Sequence, residues 1–247
     1  MQELVFLKLG GSLITDKSRE ATTKEGIIRQ AAREVKGALE ARPGLRLLVG
    51  HGSGSFGHFV AQRYGLLEEG PPNWRGYAET GAAAARLNRL VTDIFLAEGV
   101  PVVSIQPSAS AHCWDGALIS METEPIELIL HHGLVPLVYG DVALDEVRGC
   151  TISSTEQIFA YLAHHLEPAR IILAGEAEGV FTADPLQDES AQLIPDISRH
   201  NFPQVEQMLA GSHGFDVTGG MLTKVRAMYT LVQKHPCLLY TSDAADE

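Results

Sequence analysis

The chain has 247 residues, 45% of them hydrophobic, which is enough for one large or two small domains with a proper core. Its formal charge of −12 excludes the basic face expected of a nucleic-acid or membrane-surface protein, while leaving room for a local basic pocket that binds anions. No apolar run reaches the ~20 residues of a membrane span, and Met1 leads straight into a strand without a signal-peptide layout. The three cysteines (Cys113, Cys150, Cys237) show no metal or CxxC spacing. A soluble protein of a reducing cytoplasm is expected.

Leu4–Leu9 reads as a buried strand and contains the start of Lys8-Leu9-Gly10-Gly11-Ser12, followed by Thr15 and Lys17. A lysine at a strand end beside paired glycines can set its ammonium over a phosphate while the glycines supply close main-chain donors. Taken alone, the segment also fits an ordinary strand-to-turn transition with a solvated lysine. Glu25 to Ala41 has a helical pattern and stops at Arg42-Pro43-Gly44. Leu45–Val49 is the next strand, and it empties into Gly50-His51-Gly52-Ser53-Gly54-Ser55-Phe56-Gly57-His58, with a helix expected from near Gly57 to Gln62. A strand that opens into four glycines and then a helix builds an anion cradle, because glycine admits close N–H approach and the helix N-terminus adds its dipole. His51 lies inside the turn and suits a local hydrogen-bond network. His58 sits where the helix begins and can face the anion.

Leu66 to Arg75 is a loop, and Tyr77 to Glu98 a long Ala-rich helix closed by Gly99 and Pro101. Strands are expected at Val100–Ile105 and Leu134–Tyr139, the second leading into Gly140-Asp141-Val142. Asp141 either orients a lysine or caps a turn. The best internal boundary is near Arg148-Gly149-Cys150, dividing residues 1–150 from 151–236. Ser153-Ser154-Thr155-Glu156 opens a helix, Thr155 to Leu166, with an N-cap and an acidic first turn. The strand Arg170–Ala174 runs into another glycine loop, Ala174-Gly175-Glu176-Ala177-Glu178-Gly179-Val180-Phe181, with Asp184-Pro185 beyond. After a short helix, Phe202 to Ala210, comes Asp216-Val217-Thr218-Gly219-Gly220-Met221-Leu222-Thr223-Lys224. Its Gly-Gly turn opens a helix, Gly220 to Lys234, with Lys224 one turn inside: a second anion device, or a solvated helix lysine.

The alternation of strands and helices predicts an α/β fold with a largely parallel sheet. Two glycine-rich strand exits in such a sheet can converge on one ligand at the carboxyl ends of the strands. Neither loop is a Walker A motif, neither carries the spaced Asp of a dinucleotide fold, and no Ser and Asp pattern supports an acyl-transfer triad. The remaining histidines have no metal-ligand spacing.

Residues Cys237 to Glu247, CLLYTSDAADE, match one reading frame of a transposase adapter used in sequencing libraries. They are expected to be non-native, with the natural sequence departing at or near Pro236. Setting aside their three acidic residues leaves a charge of −9.

Together the ordered motifs resemble the amino acid kinase superfamily and, within it, the isopentenyl phosphate kinase branch. The resemblance runs from Leu4 to about Lys234. The histidine ending the second loop separates that branch, with the related fosfomycin kinases, from most of the superfamily. The resemblance implies an αβα sandwich of two lobes, phosphate acceptor on the N-terminal side and ATP on the C-terminal side. It implies transfer of a phosphoryl group from ATP to isopentenyl phosphate, with Mg2+ on the ATP phosphates, in isoprenoid precursor synthesis. Carried over, Gly10, Gly11, Ser12, Gly52, Ser53, Gly54, Gly57 and Asp141 would hold the acceptor, with His58 on its phosphate. Lys8 and Lys17 would neutralise the transferring group, and Lys224 would reach the ATP phosphates. Ala174, Gly175, Gly179, Val180, Phe181, Asp184, Gly219 and Gly220 would line the nucleotide site. Phe59, Tyr77 and the Ala-rich helix are candidates for an apolar tail pocket, although large apolar residues at helical spacing are more often core.

Two positions depart from the family pattern. Glu156 stands where an Asp usually orients the lysine, and Glu178 where Asp is usual in the nucleotide loop. The strands expected after the Lys224 helix are also lacking, which predicts an open sheet edge and lower stability. The resemblance further implies a homodimer through the N-terminal lobe. The alternatives are a kinase of another small phosphate or phosphonate, fosfomycin included, and a non-catalytic nucleotide- or oxyanion-binding protein of the same fold.

Overall fold

β1 (Leu4–Leu9) alternates about the sheet plane, with Val5 and Leu9 in one core and Leu4 and Phe6 in the other. Lys8 shares the face of Leu4 and Phe6, so the same period-two rule decides which helix layer its ammonium meets. The computed structural model describes residues 3–66, 68, 70–176, 178–183, 185, 188, 190–211, 220–234 and 239–244. Among these, β1 lies inside a six-stranded sheet with β2 (Arg46–His51), β3 (Val102–Ser104), β6 (Val135–Tyr139), β9 (Arg170–Gly175) and β10 (Leu239–Ala244), in the order β10-β9-β1-β2-β6-β3. Every pairing in it is parallel. Both faces of such a sheet must be covered, and its strands are buried apolar runs.

One face is covered by α2 (Glu25–Ala41) and α4 (Trp74–Ala97), with α1 (Gly11–Ile14) and α3 (Gly54–Arg63) over the strand ends. α2 turns Ile28, Ala32 and Val35 inward at helical spacing. α4 starts at Asn73, whose side chain accepts the Gly76 N–H, and so begins one turn before the expected Tyr77. The other face carries α5 (Glu124–His131), α6 (Thr155–Leu166) and α8 (Gly220–Lys234). α6 spans the expected residues, fixed by a capping box in which Ser154 and Gln157 satisfy each other's N–H groups. The αβα sandwich is thus the observed architecture.

A second sheet, in the order β5-β4-β7-β8, was not foreseen. Its strands β4 (His112–Trp114), β5 (Ala117–Ser120), β7 (Asp141–Asp145) and β8 (Gly149–Ser153) are short. Asp145 pins it by accepting N–H bonds from Asp115, Gly116, Val147 and Arg148; burial works to raise its pKa, but these four donors hold it below the usual carboxylate value. Glu146-Val147-Arg148 is the turn of the β7–β8 hairpin, and Gly149, at φ +77°, and Cys150 open β8 opposite Asp145 and Leu144.

α7 (Phe202–Gly211) packs on α8 through a small core of Val180, Val205, Leu209 and Val225. β10 falls within the eleven residues read as adapter-derived and takes the sheet edge beside β9, where an open edge was expected. Strand addition is carried by main-chain hydrogen bonds and asks little of the sequence that supplies it. Among the described residues, no helix is long and apolar enough to cross a membrane.

Candidate active site

The site is built where β9, β1 and β2 end side by side. β2 keeps Gly50 and His51 in the strand, so only Gly52 and Ser53 separate it from α3. The helix therefore begins at Gly54, earlier than expected. Gly54 has φ +49°, and an added Cβ there would lie 2.2 Å from Thr15 Oγ1. Only glycine fits, on both counts. The α3 N-cap, Ser53, makes no side-chain cap. Its N–H has no hydrogen bond to a described residue, so donors at this helix start are left for a ligand.

The two glycine loops touch. A Cβ on Gly11 would lie 2.8 Å from both Gly54 Cα and Gly54 N, and one on Gly52 would lie 2.9 Å from Gly11 N. Thr15 locks them together: its Oγ1 donates to Gly11 O at 2.6 Å and accepts the Ser55 N–H at 2.9 Å. β9 joins from the other side, since Gly10 N–H donates to Ala174 O at 2.8 Å. Gly10, Gly11, Ser12, Gly52, Ser53, Gly54, Ala174 and Gly175 therefore form one contiguous main-chain surface.

Lys8 points from β1 toward the first turn of α6 and forms an ion pair with Glu156; their side chains are 10% and 12% exposed. The longer side chain at 156 thus reaches the lysine. Asp141 does not take that role. It is buried and accepts the Ser108 N–H at 3.1 Å and its own Val142 N–H at 2.9 Å, which is the turn-capping alternative. Burial pushes its carboxyl above the usual carboxylate range.

His58 is half-buried on α3, with no hydrogen bond from its ring to another described residue. Gly57 faces Ser53 on the same helix. Lys17 is exposed on the loop after α1. Gly179, Val180 and Phe181 follow β9 in an extended excursion: Ile194 N–H donates to Val180 O, and Phe181 bridges Leu193. Glu178 is exposed. Gly220 opens α8, and Lys224 is its fifth residue. Asp184, Gly219 and the Lys224 side chain lie outside the described residues, as do Asp216 to Thr218. Phe59 and Tyr77 are half-buried, and Tyr77 lies near Asp141 and Cys150.

One cation and one neutral ring were missed or undervalued by sequence. Lys24 donates to Ser12 O at 3.0 Å and pairs with Glu176 at 2.7 Å, tying the β1 and β9 exits; no motif marks it. His51 is wholly buried, and burial brings it down to about 4, so it is neutral.

The profile of the amino acid kinase family matches residues 3–240. The isopentenyl phosphate kinase of Methanocaldococcus jannaschii is 32% identical over 242 residues, covering 95% of this chain and 88% of its own. That of Methanothermobacter thermautotrophicus is 36% identical over 240 residues, covering 94% and 88%. A solved isopentenyl phosphate kinase structure superposes with a TM-score of 0.73 at 33% identity, covering 85% of this chain and 89% of that one. The chain belongs to the amino acid kinase family and, within it, to the isopentenyl phosphate kinases.

Proposed function

We propose that this chain transfers the γ-phosphoryl group of ATP to isopentenyl phosphate, giving ADP and isopentenyl diphosphate. The observation that carries the reading is the convergence of three strand exits on one surface of main-chain donors, with the Lys8–Glu156 pair beside it. An acceptor phosphate seated on Ser53 and Gly54 would present an oxygen toward the β1 exit. A γ-phosphoryl group arriving from the β9 side would meet that oxygen over Gly10 and Gly11. The P–O bond to the acceptor forms as the bond to ADP breaks, without a covalent enzyme intermediate. Phosphoryl transfer of this kind needs positioning and charge stabilisation rather than a nucleophilic side chain.

Glu156 pairs with Lys8, and in this reading it would hold the ammonium in place with its remaining donors available to the transferring group. Lys17 and Lys224 add charge from the acceptor and nucleotide sides, and His58 donates to the acceptor phosphate. Residues 1–150 serve the acceptor and 151–236 the nucleotide, with Ala174, Gly175, Gly179, Val180, Phe181, Asp184, Gly219 and Gly220 along the ATP. Among the described residues no three His, Cys, Asp or Glu side chains come together for a metal. A Mg2+ ion would be held by the nucleotide phosphates and water, where it would neutralise charge on the leaving group. A homodimer through the N-terminal lobe and a cytoplasmic location complete the proposal; light scattering of the purified protein tests the first.

A coupled ADP-release assay with isopentenyl phosphate, dimethylallyl phosphate and fosfomycin tests the reaction. Turnover is expected with the isoprenoid phosphates. Turnover with fosfomycin alone, or with no acceptor, would overturn the reading.

A further inference from the structure

His51 ends β2 with its ring wholly buried, stacked on Tyr139 at 5.6 Å between ring centroids. Its Nδ1 lies 2.9 Å from Gly52 O, and its Nε2 lies 3.1 Å from Asn88 Nδ2 on α4. Asn88 is itself buried, and its Oδ1 accepts from the Ser104 hydroxyl at the end of β3. The donor directions in this chain are fixed from one end. A carbonyl oxygen only accepts, so Nδ1 carries the proton. Nε2 is then bare and must accept, so Asn88 presents its NH2 group. Its Oδ1 faces the other way, where the Ser104 hydroxyl supplies the proton. Reversing any one member leaves two donors or two acceptors face to face.

The end point of the chain is the Gly52–Ser53 peptide. A trans peptide is planar, with its C=O and N–H pointing in opposite directions. Holding Gly52 O toward His51 therefore turns the Ser53 N–H the other way, and that N–H has no partner among the described residues. The His51 carbonyl is held as well, by Thr155 Oγ1 at 2.7 Å and Gly140 N–H at 3.0 Å, so the ring has a fixed base. We propose that Ser104, Asn88 and His51 form a positioning relay that locks the Gly52–Ser53 peptide in the orientation that aims the Ser53 N–H at the acceptor phosphate. The relay rests on the kinase reading for the identity of that phosphate. Its members touch no substrate; they are positioning residues. A buried ring that stays neutral at the pH of the reaction suits this task, since a protonated Nε2 would oppose the Asn88 amide.

Asn88→Asp reverses the middle member, and Ser104→Ala removes the outermost. The second changes a residue exposed at a strand end, so it tests the relay even where the first fails to fold. Nitrogen-15 NMR of the wild type should show His51 protonated at Nδ1 and bare at Nε2. The Ser53 amide should shift on titration with inorganic phosphate, and Ser104→Ala should weaken that phosphate affinity. In the assay, Ser104→Ala should raise the acceptor KM about threefold and Asn88→Asp about tenfold, the range of one weakened or lost hydrogen bond to a charged group, with the ATP KM unchanged. An Nε2-protonated His51, or an unchanged acceptor KM and phosphate affinity in both variants, would overturn the relay. Absence of turnover with every acceptor, alongside the expected phosphate shift at Ser53, would sink the kinase reading and leave the relay standing as part of an anion site.

Discussion

Gly11→Ala probes the contact between the two glycine loops directly. The new Cβ would sit 2.8 Å from Gly54 Cα and from Gly54 N. Carbon atoms in ordinary contact are ~3.5–4.0 Å apart, so the loops must part by about 1 Å. Gly54 has little room to yield: it starts α3 with φ +49°, and Thr15 packs against it while hydrogen-bonding to Gly11 O and the Ser55 N–H. Overpacking of this kind costs about 1–3 kcal/mol, a fall in Tm of roughly 2–12 °C for a chain of this size. The effect on catalysis is larger. A displacement near 1 Å between the two glycine loops is expected to reduce kcat/KM by about 10²-fold. ADP release with isopentenyl phosphate gives the rate, and thermal unfolding gives the stability. Gly37→Ala on the exposed side of α2 is the control, with nothing within 4 Å of its new Cβ. It should leave kcat/KM unchanged and stabilise by about 0.5–1 kcal/mol, since Gly in a helix interior is disfavoured by that amount. A Gly11→Ala protein with wild-type kcat/KM would refute the idea that the loops act as one surface.

Other perturbations read other parts of the site. Glu156→Ala leaves Lys8 buried without its counter-charge and should lower stability in urea unfolding by about 3 kcal/mol. The double variant Lys8→Met, Glu156→Leu should regain most of that stability and none of the activity. His58→Ala should raise the acceptor KM about tenfold or more while sparing the ATP KM; full activity would remove the histidine from the mechanism. His51 predicts a pH effect whose sign follows from burial: the unfolded imidazole takes up a proton below about 6.5, and the folded one resists until about 4. Between these values acid favours the unfolded state, so stability falls by about 1.4 kcal/mol per pH unit, roughly 3 kcal/mol in all. Urea midpoints from pH 7 to pH 4 should carry that slope, and His51→Gln should lose it. Resequencing of the gene from uncontaminated reads should replace the codons for residues 237–247.

The sequence made the large elements legible because each carried its own local signal. Glu25 to Ala41 had a helical pattern and a Pro-Gly stop; Thr155 to Leu166 had an N-cap and an acidic first turn. The second sheet had neither, since three- and four-residue strands with outward-facing Trp114 and Ile119 lack a readable period. At the site, glycines and lysines announced anion chemistry, but their contacts are long-range. The pairing of Gly11 with Gly54, and of Lys8 with Glu156, depends on strand order, which local pattern does not encode. Asp141 read equally as a lysine partner and as a turn cap. The turn at Ser108 that claimed it carries no motif. Asn88 lies in the middle of an Ala-rich helix and gave no hint of the ring it would meet 37 residues away.

The side-by-side order of β9, β1 and β2 makes the sheet a ruler. Neighbouring strands are spaced about 4.8 Å apart, so the exits of β9 and β2 stand about 10 Å apart with β1 and Lys8 between them. That interval is set by main-chain hydrogen bonds and by no side chain in the acceptor pocket. Under the proposed reaction, the organic tail of the acceptor is free to vary with the pocket wall, while the path travelled by the phosphoryl group stays the same length. Evolution of new acceptors on this frame would then be a matter of redecorating one wall, with the gauge of the reaction left untouched.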